Sequence, residues 1–169
     1  DTRWPRGLSR EAGAGFDAAL DHARRLGKPL VEMTQDDFPL PPVSVEALQA
    51  AVACTQGPWG MCQLKGFPVE RWSEGDCRVA YWGLGLYMGV ARTQNKASDI
   101  LNDVRDAGGS YKVTNGRGYN TNAQLDFHCD SCDVVALLCR RTAKEGGASK
   151  IVSSKALVAE FARRRPDLV

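Results

Sequence analysis

The chain has 169 residues, 43% hydrophobic and 25% charged, enough for one globular domain with a core of its own. Its formal charge of +2 is too small to mark a nucleic-acid binder, and no apolar run reaches the ~18 residues of a membrane helix. Six cysteines with no recognisable secretory signal read as reduced thiols, so the expected setting is cytoplasmic.

The first element is a helix over SREAGAGFDAALDHARRLGK. Ser9 caps it, Phe16, Ala19, Leu20 and Ala23 form its apolar stripe, and Gly27 stops it. LVEM, residues 30–33, is short and strand-like, and FPLPP, Phe38 to Pro42, is a rigid connector. Ser44 is expected to cap a second helix from Val45 to Cys54. A turn at Trp59-Gly60 leads into MCQLKGFPV, which alternates as a strand does. Ser73-Glu74-Gly75-Asp76 has the form of a capping box and opens a third helix carrying Val79, Trp82, Leu86 and Val90.

From Asp99 onward the periods shorten. DILNDVRD alternates like a strand, Thr114 to Asn122 is turn-rich, and LDFHCD follows. DVVALLCRR is the strongest strand signal; its apolar core, Val134 to Cys139, reads as buried on both faces. Glu145-Gly146-Gly147 is a turn and Ser149 to Ser153 a short strand. A last helix starts at Ser154, presents Leu157, Val158, Phe161 and Ala162 on one side and ends before Pro166. Arg163-Arg164-Arg165 reads as a solvated helix end. Helices first and strands later imply an α+β or mainly-β fold, with an N-terminal helical cover over 1–58 and a β-rich part over 59–169. With roughly five or six strands, the most apolar one would be left at an open edge, so further segments should cover it.

The chemistry concentrates in FHCDSCD, Phe127 to Asp133, where three readings compete. A thiolate zinc site usually needs two spaced pairs; Cys129 and Cys132 form the single C-x-x-C, and Cys54, Cys62 and Cys77 are isolated. A redox C-x-x-C needs a helix after it to activate the thiol, and an apolar strand-like run follows instead. His128 and Asp130, at i and i+2 on a strand, project to one face and could take adjacent positions on one metal. That is two-thirds of a 2-His-1-carboxylate iron site. On spacing alone, a surface histidine beside a solvated aspartate fits as well.

The surroundings carry a resemblance. His128-Cys129-Asp130, the apolar strand Val134 to Cys139, Gly146-Gly147-Ala148-Ser149 and the helix from Ser154 to Leu168 follow in the order of the TauD/TfdA-like family. Upstream, GMCQLKGFPV resembles that family's early strand, and TQNKASDILNDVRD resembles the segment before the metal strand in its clavaminate-synthase-like members. The resemblance covers residues 59–168. It implies a double-stranded β-helix (jelly-roll) core and an Fe(II)- and 2-oxoglutarate-dependent dioxygenase that uses O2 on a C–H bond of a small, amino-acid-like substrate, releasing succinate and CO2.

By position, the resemblance makes His128 and Asp130 iron ligands. It puts Ser149 on 2-oxoglutarate, and Gln94 and Gln124 in the substrate pocket. The family also uses a second histidine and an arginine for the far carboxylate of 2-oxoglutarate. His22 and His128 are the two histidines of this chain, and His22 reads as a surface residue of the first helix. The strands after Asp99 are therefore expected to pair with a remaining C-terminal half of the domain. Two rival readings are a catalytically inactive jelly-roll binding domain and a zinc-stabilised interaction module built on Cys129 and Cys132. Neither nucleic acid nor membrane is an expected partner.

Overall fold

In the computed structural model, residues 5–94, 98–109 and 121–168 are described; most of the turn-rich segment 114–122 falls outside them. The chain divides into two compact units, Asp1–Met88 with Leu137–Val169, and Gly89–Ala136. Among the described residues, regular structure is confined to the first.

Helix α1, Arg10–Leu26, forms for the local reasons visible in its sequence. Ser9 Oγ accepts the Ala12 amide at 3.0 Å, and Gly27, at φ 63°, closes the other end by donating to the Ala23 carbonyl at 3.1 Å. Glu11 in the first turn and Arg24 and Arg25 in the last complement the helix dipole. Phe16, Ala19, Leu20 and Ala23 are buried, as their spacing requires. Phe16 packs on Phe67 with ring centroids 5.1 Å apart.

Helix α2, Pro42–Thr55, starts earlier than expected. Pro41 is its N-cap and Pro42 its first residue, where the missing amide hydrogen costs nothing. Ser44 is not the cap. It is fully buried one turn in, and its hydroxyl donates across to the Ala12 carbonyl of α1 at 2.9 Å. The crossing is close because Gly15 has no side chain. A Cβ there would sit 2.4 Å from Ser44 Oγ and 2.5 Å from Pro41 Cγ.

Between α1 and α2, Leu30–Glu32 forms a 3-10 turn rather than a strand. The turn buries Met33, which an extended LVEM would not do without a partner strand. A second 3-10 turn, Gln35–Asp37, is held by Asp37, whose carboxylate accepts from Lys28 Nζ at 2.7 Å and the Thr34 amide at 2.9 Å. The Lys28 hydrogen bond, then that of Thr34, lowers the Asp37 pKa from 3.8 to about 2.

Helix α3, Glu74–Gly85, opens with the expected capping box between Ser73 and Asp76. It stops short of Val90, which is 97% exposed. Glycines at 83 and 85 weaken its last turn, and Gly83 serves packing instead. A Cβ on Gly83 would lie 2.3 Å from Phe38 Cγ, so the fully buried Phe38 ring rests on bare helix backbone. Tyr87, just past the helix, pins the Phe38 connector: its hydroxyl accepts the Leu40 amide at 3.1 Å and donates to the Phe38 carbonyl at 2.9 Å.

Strands β1, Pro5–Gly7, and β2, Gln63–Lys65, pair in parallel with Arg6 opposite Leu64. This two-stranded ladder is the sheet among the described residues. The other segments expected as strands, 99–106, 125–130, 133–141 and 149–153, have irregular backbone. In the strongest of them, Val135 is 55% and Leu137 is 73% exposed, not buried on both faces. Leu138 packs against the helical core, and Arg140 reaches Glu74 at 3.2 Å. The reason is physical: a strand's backbone groups are satisfied by a neighbour, and among the described residues this run has none.

Helix α4, Ser154–Arg164, begins and ends as expected, capped by Ser153 and stopped before Pro166. Arg163 and Arg164 both pair with Glu160, and Arg165 pairs with Asp167, consistent with a solvated helix end. Its apolar side chains Leu157, Val158 and Phe161 are about half exposed. No helix among the described residues is long and apolar enough to cross a membrane.

Candidate functional site

His128 and Asp130 lie in the unit Gly89–Ala136, on exposed, irregular backbone. The imidazole is nevertheless oriented. His128 Nδ1 lies 2.7 Å from the Asp126 carbonyl oxygen. A carbonyl can only accept, so Nδ1 carries the hydrogen and Nε2 of the neutral ring keeps its lone pair. That hydrogen bond is the usual outer contact of a metal-binding histidine, and it fixes the tautomer that a metal requires.

The loop is held from one side. The Arg92 guanidinium donates to the Ser131 carbonyl, next to Asp130. The side-chain amide of Gln94 in turn donates to the Arg92 carbonyl at 3.1 Å, and the Gln94 backbone amide to Asp99 at 2.6 Å. Arg92 thus links the Gln94 segment to the His128 loop, a contact that no sequence spacing signals. Gln124 is exposed a few residues before His128. Ser149 belongs to the other unit, exposed after the expected glycine turn, where Gly146 and Gly147 take φ 71° and 70°.

Among the described residues, no group of three or more histidine, cysteine, aspartate or glutamate side chains is placed to hold a metal ion. An imidazole nitrogen and a carboxylate oxygen on one short segment are donor types that suit Fe(II). His22 is half-buried on α1. Cys129, Cys132 and Cys139 are exposed free thiols, and Cys132 Sγ donates to the Val134 carbonyl at 3.6 Å. Cys54 and Cys62, isolated in the sequence, are in contact in the fold beside Arg6.

The segment that carries this loop matches a known family. The model of the taurine catabolism dioxygenase TauD, TfdA family aligns with residues 26–169. The chain belongs to the TauD/TfdA family. One curated relative is FR-33289 synthase from Streptomyces rubellomurinus, 33% identical over 112 residues, an alignment covering 66% of this chain and 33% of the relative. The chain thus spans about a third of the length of that relative. TauD/TfdA membership agrees with the order of His128-x-Asp130, apolar run, glycine turn and final helix, all of which fall inside the matched region.

Proposed function

We propose that this chain carries the first part of the catalytic domain of an Fe(II)- and 2-oxoglutarate-dependent oxygenase, built in the intact enzyme as a jelly roll. The observation that most supports it is His128. Within a TauD/TfdA match, its Nδ1 is committed to the Asp126 carbonyl at 2.7 Å, which leaves Nε2 free to bind a metal. His128 Nε2 and the Asp130 carboxylate act as two iron ligands.

Such a site also takes a second histidine, and an arginine for the far carboxylate of 2-oxoglutarate; His22, the other histidine of this chain, lies on α1. Bound Fe(II) and 2-oxoglutarate, with O2, supply the oxidising power to attack a C–H bond of a small amino-acid-like molecule, giving succinate and CO2 as co-products. The protein's own tasks are positional. Ser149 Oγ donates a hydrogen bond to 2-oxoglutarate. Gln94 and Gln124 line the substrate pocket, and Arg92 holds the metal-binding loop by its bond to Ser131.

The test is anaerobic calorimetry of 2-oxoglutarate with the intact protein, with and without Fe(II). Metal-dependent binding that is weakened in Ser149→Ala and lost in Asp130→Ala is expected. Binding that ignores the metal, or no binding at all, contradicts the reading; the latter outcome points to an inactive binding domain.

A further inference from the structure

A different part of the molecule holds a second reactive cluster. Cys54 sits in the last turn of α2, Cys62 one residue before β2, and Arg6 in the middle of β1. The β1–β2 register sets Arg6 opposite Leu64, two residues from Cys62. From there the Arg6 side chain reaches back to α2, and Nε donates to Cys54 Sγ at 3.2 Å. Arg6 of β1, the end of α2 and the loop 57–61 wall an open cleft of about 450 Å³, lined by Arg6, Cys54, Trp59 and Met61. Both thiols are half-buried rather than sealed, and Cys54 lines the cleft, so a small solute there can reach it.

We propose that Cys54 and Cys62 form a peroxide-responsive thiol pair, with Cys54 the attacking sulfur and Cys62 the resolving one. The assignment of roles follows from the surroundings. Arg6 Nε donates to the Cys54 sulfur at 3.2 Å, and Cys54 lines the cleft, so it is the sulfur that a solute in the cleft meets. Burial, then the negative charge of Cys54 and its hydrogen bond, raise the Cys62 thiol, while Arg6 lowers it.

The chemistry balances with a peroxide as oxidant. The Cys54 thiolate attacks one peroxide oxygen, the O–O bond breaks, and Cys54 becomes a sulfenic acid as hydroxide leaves. The Cys62 sulfur then attacks the Cys54 sulfur, the S–OH bond breaks, and the hydroxyl leaves as water with the Cys62 proton. Two thiols and one hydrogen peroxide give one disulfide and two waters. The product ties the end of α2 to the start of β2. Cys77 is buried in the core, and Cys129, Cys132 and Cys139, though exposed, have no cation among their hydrogen-bond partners in the described residues.

The experiment is exposure of the protein to limiting hydrogen peroxide, quenching with an alkylating reagent and peptide mapping by mass spectrometry. Cys54 and Cys62 share one tryptic fragment, which should become lighter by two hydrogens before any other cysteine reacts. In Cys62→Ser, the sulfenic acid should be trapped on Cys54 by dimedone. Arg6→Gln should slow the reaction by about two- to fivefold, the worth of one exposed charge contact. Overturning results are first oxidation at Cys129 or Cys132 with this fragment still reduced, or trapping on Cys62 in Cys54→Ser as fast as on Cys54 in Cys62→Ser.

Discussion

Helix α1 and the run from Leu125 to Arg141 carry comparably strong sequence patterns and meet different ends. In α1 the apolar stripe is buried and both caps close as their residues dictate. In the second run Val135 and Leu137 stay exposed, and no ladder forms among the described residues. The difference lies in what each element needs. A helix satisfies its backbone within itself, whereas a strand borrows its partners from elsewhere in the chain. The helical unit holds its own core; the stretch bearing His128 runs into a core-strand composition that has, among the described residues, no neighbouring strand.

The sharpest way to break this comparison is to attack the helical core where it is tightest. Phe38→Ala removes a fully buried ring resting on Gly83 and should cost about 3–5 kcal/mol, read as a lower urea midpoint of the helical circular dichroism signal. Gly15→Ala drives a methyl against Ser44 and Pro41 and should cost about 1–3 kcal/mol in the same assay. Ser44→Ala, which deletes the buried bond to Ala12, should cost about 0.5–1.5 kcal/mol. At the other end of the scale, Leu137→Ala should change stability by less than about 0.5 kcal/mol, because that side chain is 73% exposed. If Leu137→Ala were as damaging as Phe38→Ala, the contrast between the two regions would collapse.

Acid sharpens the same contrast. Asp37 has a pKa lowered to about 2 in the folded chain from 3.8, so its contribution is present above about pH 4 and is lost as pH falls through about 2. A urea-midpoint series should show that loss in the wild type. It should be shallower in Asp37→Asn, which starts lower because Lys28 and Thr34 lose their carboxylate.

The residues say why some of this was legible in sequence and some was not. Ser9, Gly27, Ser73 with Asp76, and Pro166 are end signals that act on adjacent backbone, and each marks an element boundary where it was expected. Ser44 misleads for a related reason. A serine near a helix start suits a cap, but the two preceding prolines fix the entry, and the hydroxyl is turned inward to Ala12 of α1. The glycines at 15 and 83 look like helix weaknesses in sequence and prove to be contact points.

At the candidate site, His128 and Asp130 stand out in sequence because their two-residue spacing is local, although both lie on irregular backbone rather than a strand. The links from Arg92 to Ser131 and from Arg6 to Cys54 bridge distant positions, and no pattern along the chain announces them. Family membership is legible from the order of motifs, which survives even where the strands themselves are not formed.

The central claim is that His128 and Asp130, rather than the neighbouring cysteines, bind iron. The direct measurement is an anaerobic titration of the intact protein with Fe(II) and 2-oxoglutarate, following the weak visible charge-transfer band of the ternary complex. The band should form in the wild type and in Cys132→Ala and vanish in His128→Ala. A wild type that gives no band, or a His128→Ala protein that keeps it, would contradict the account.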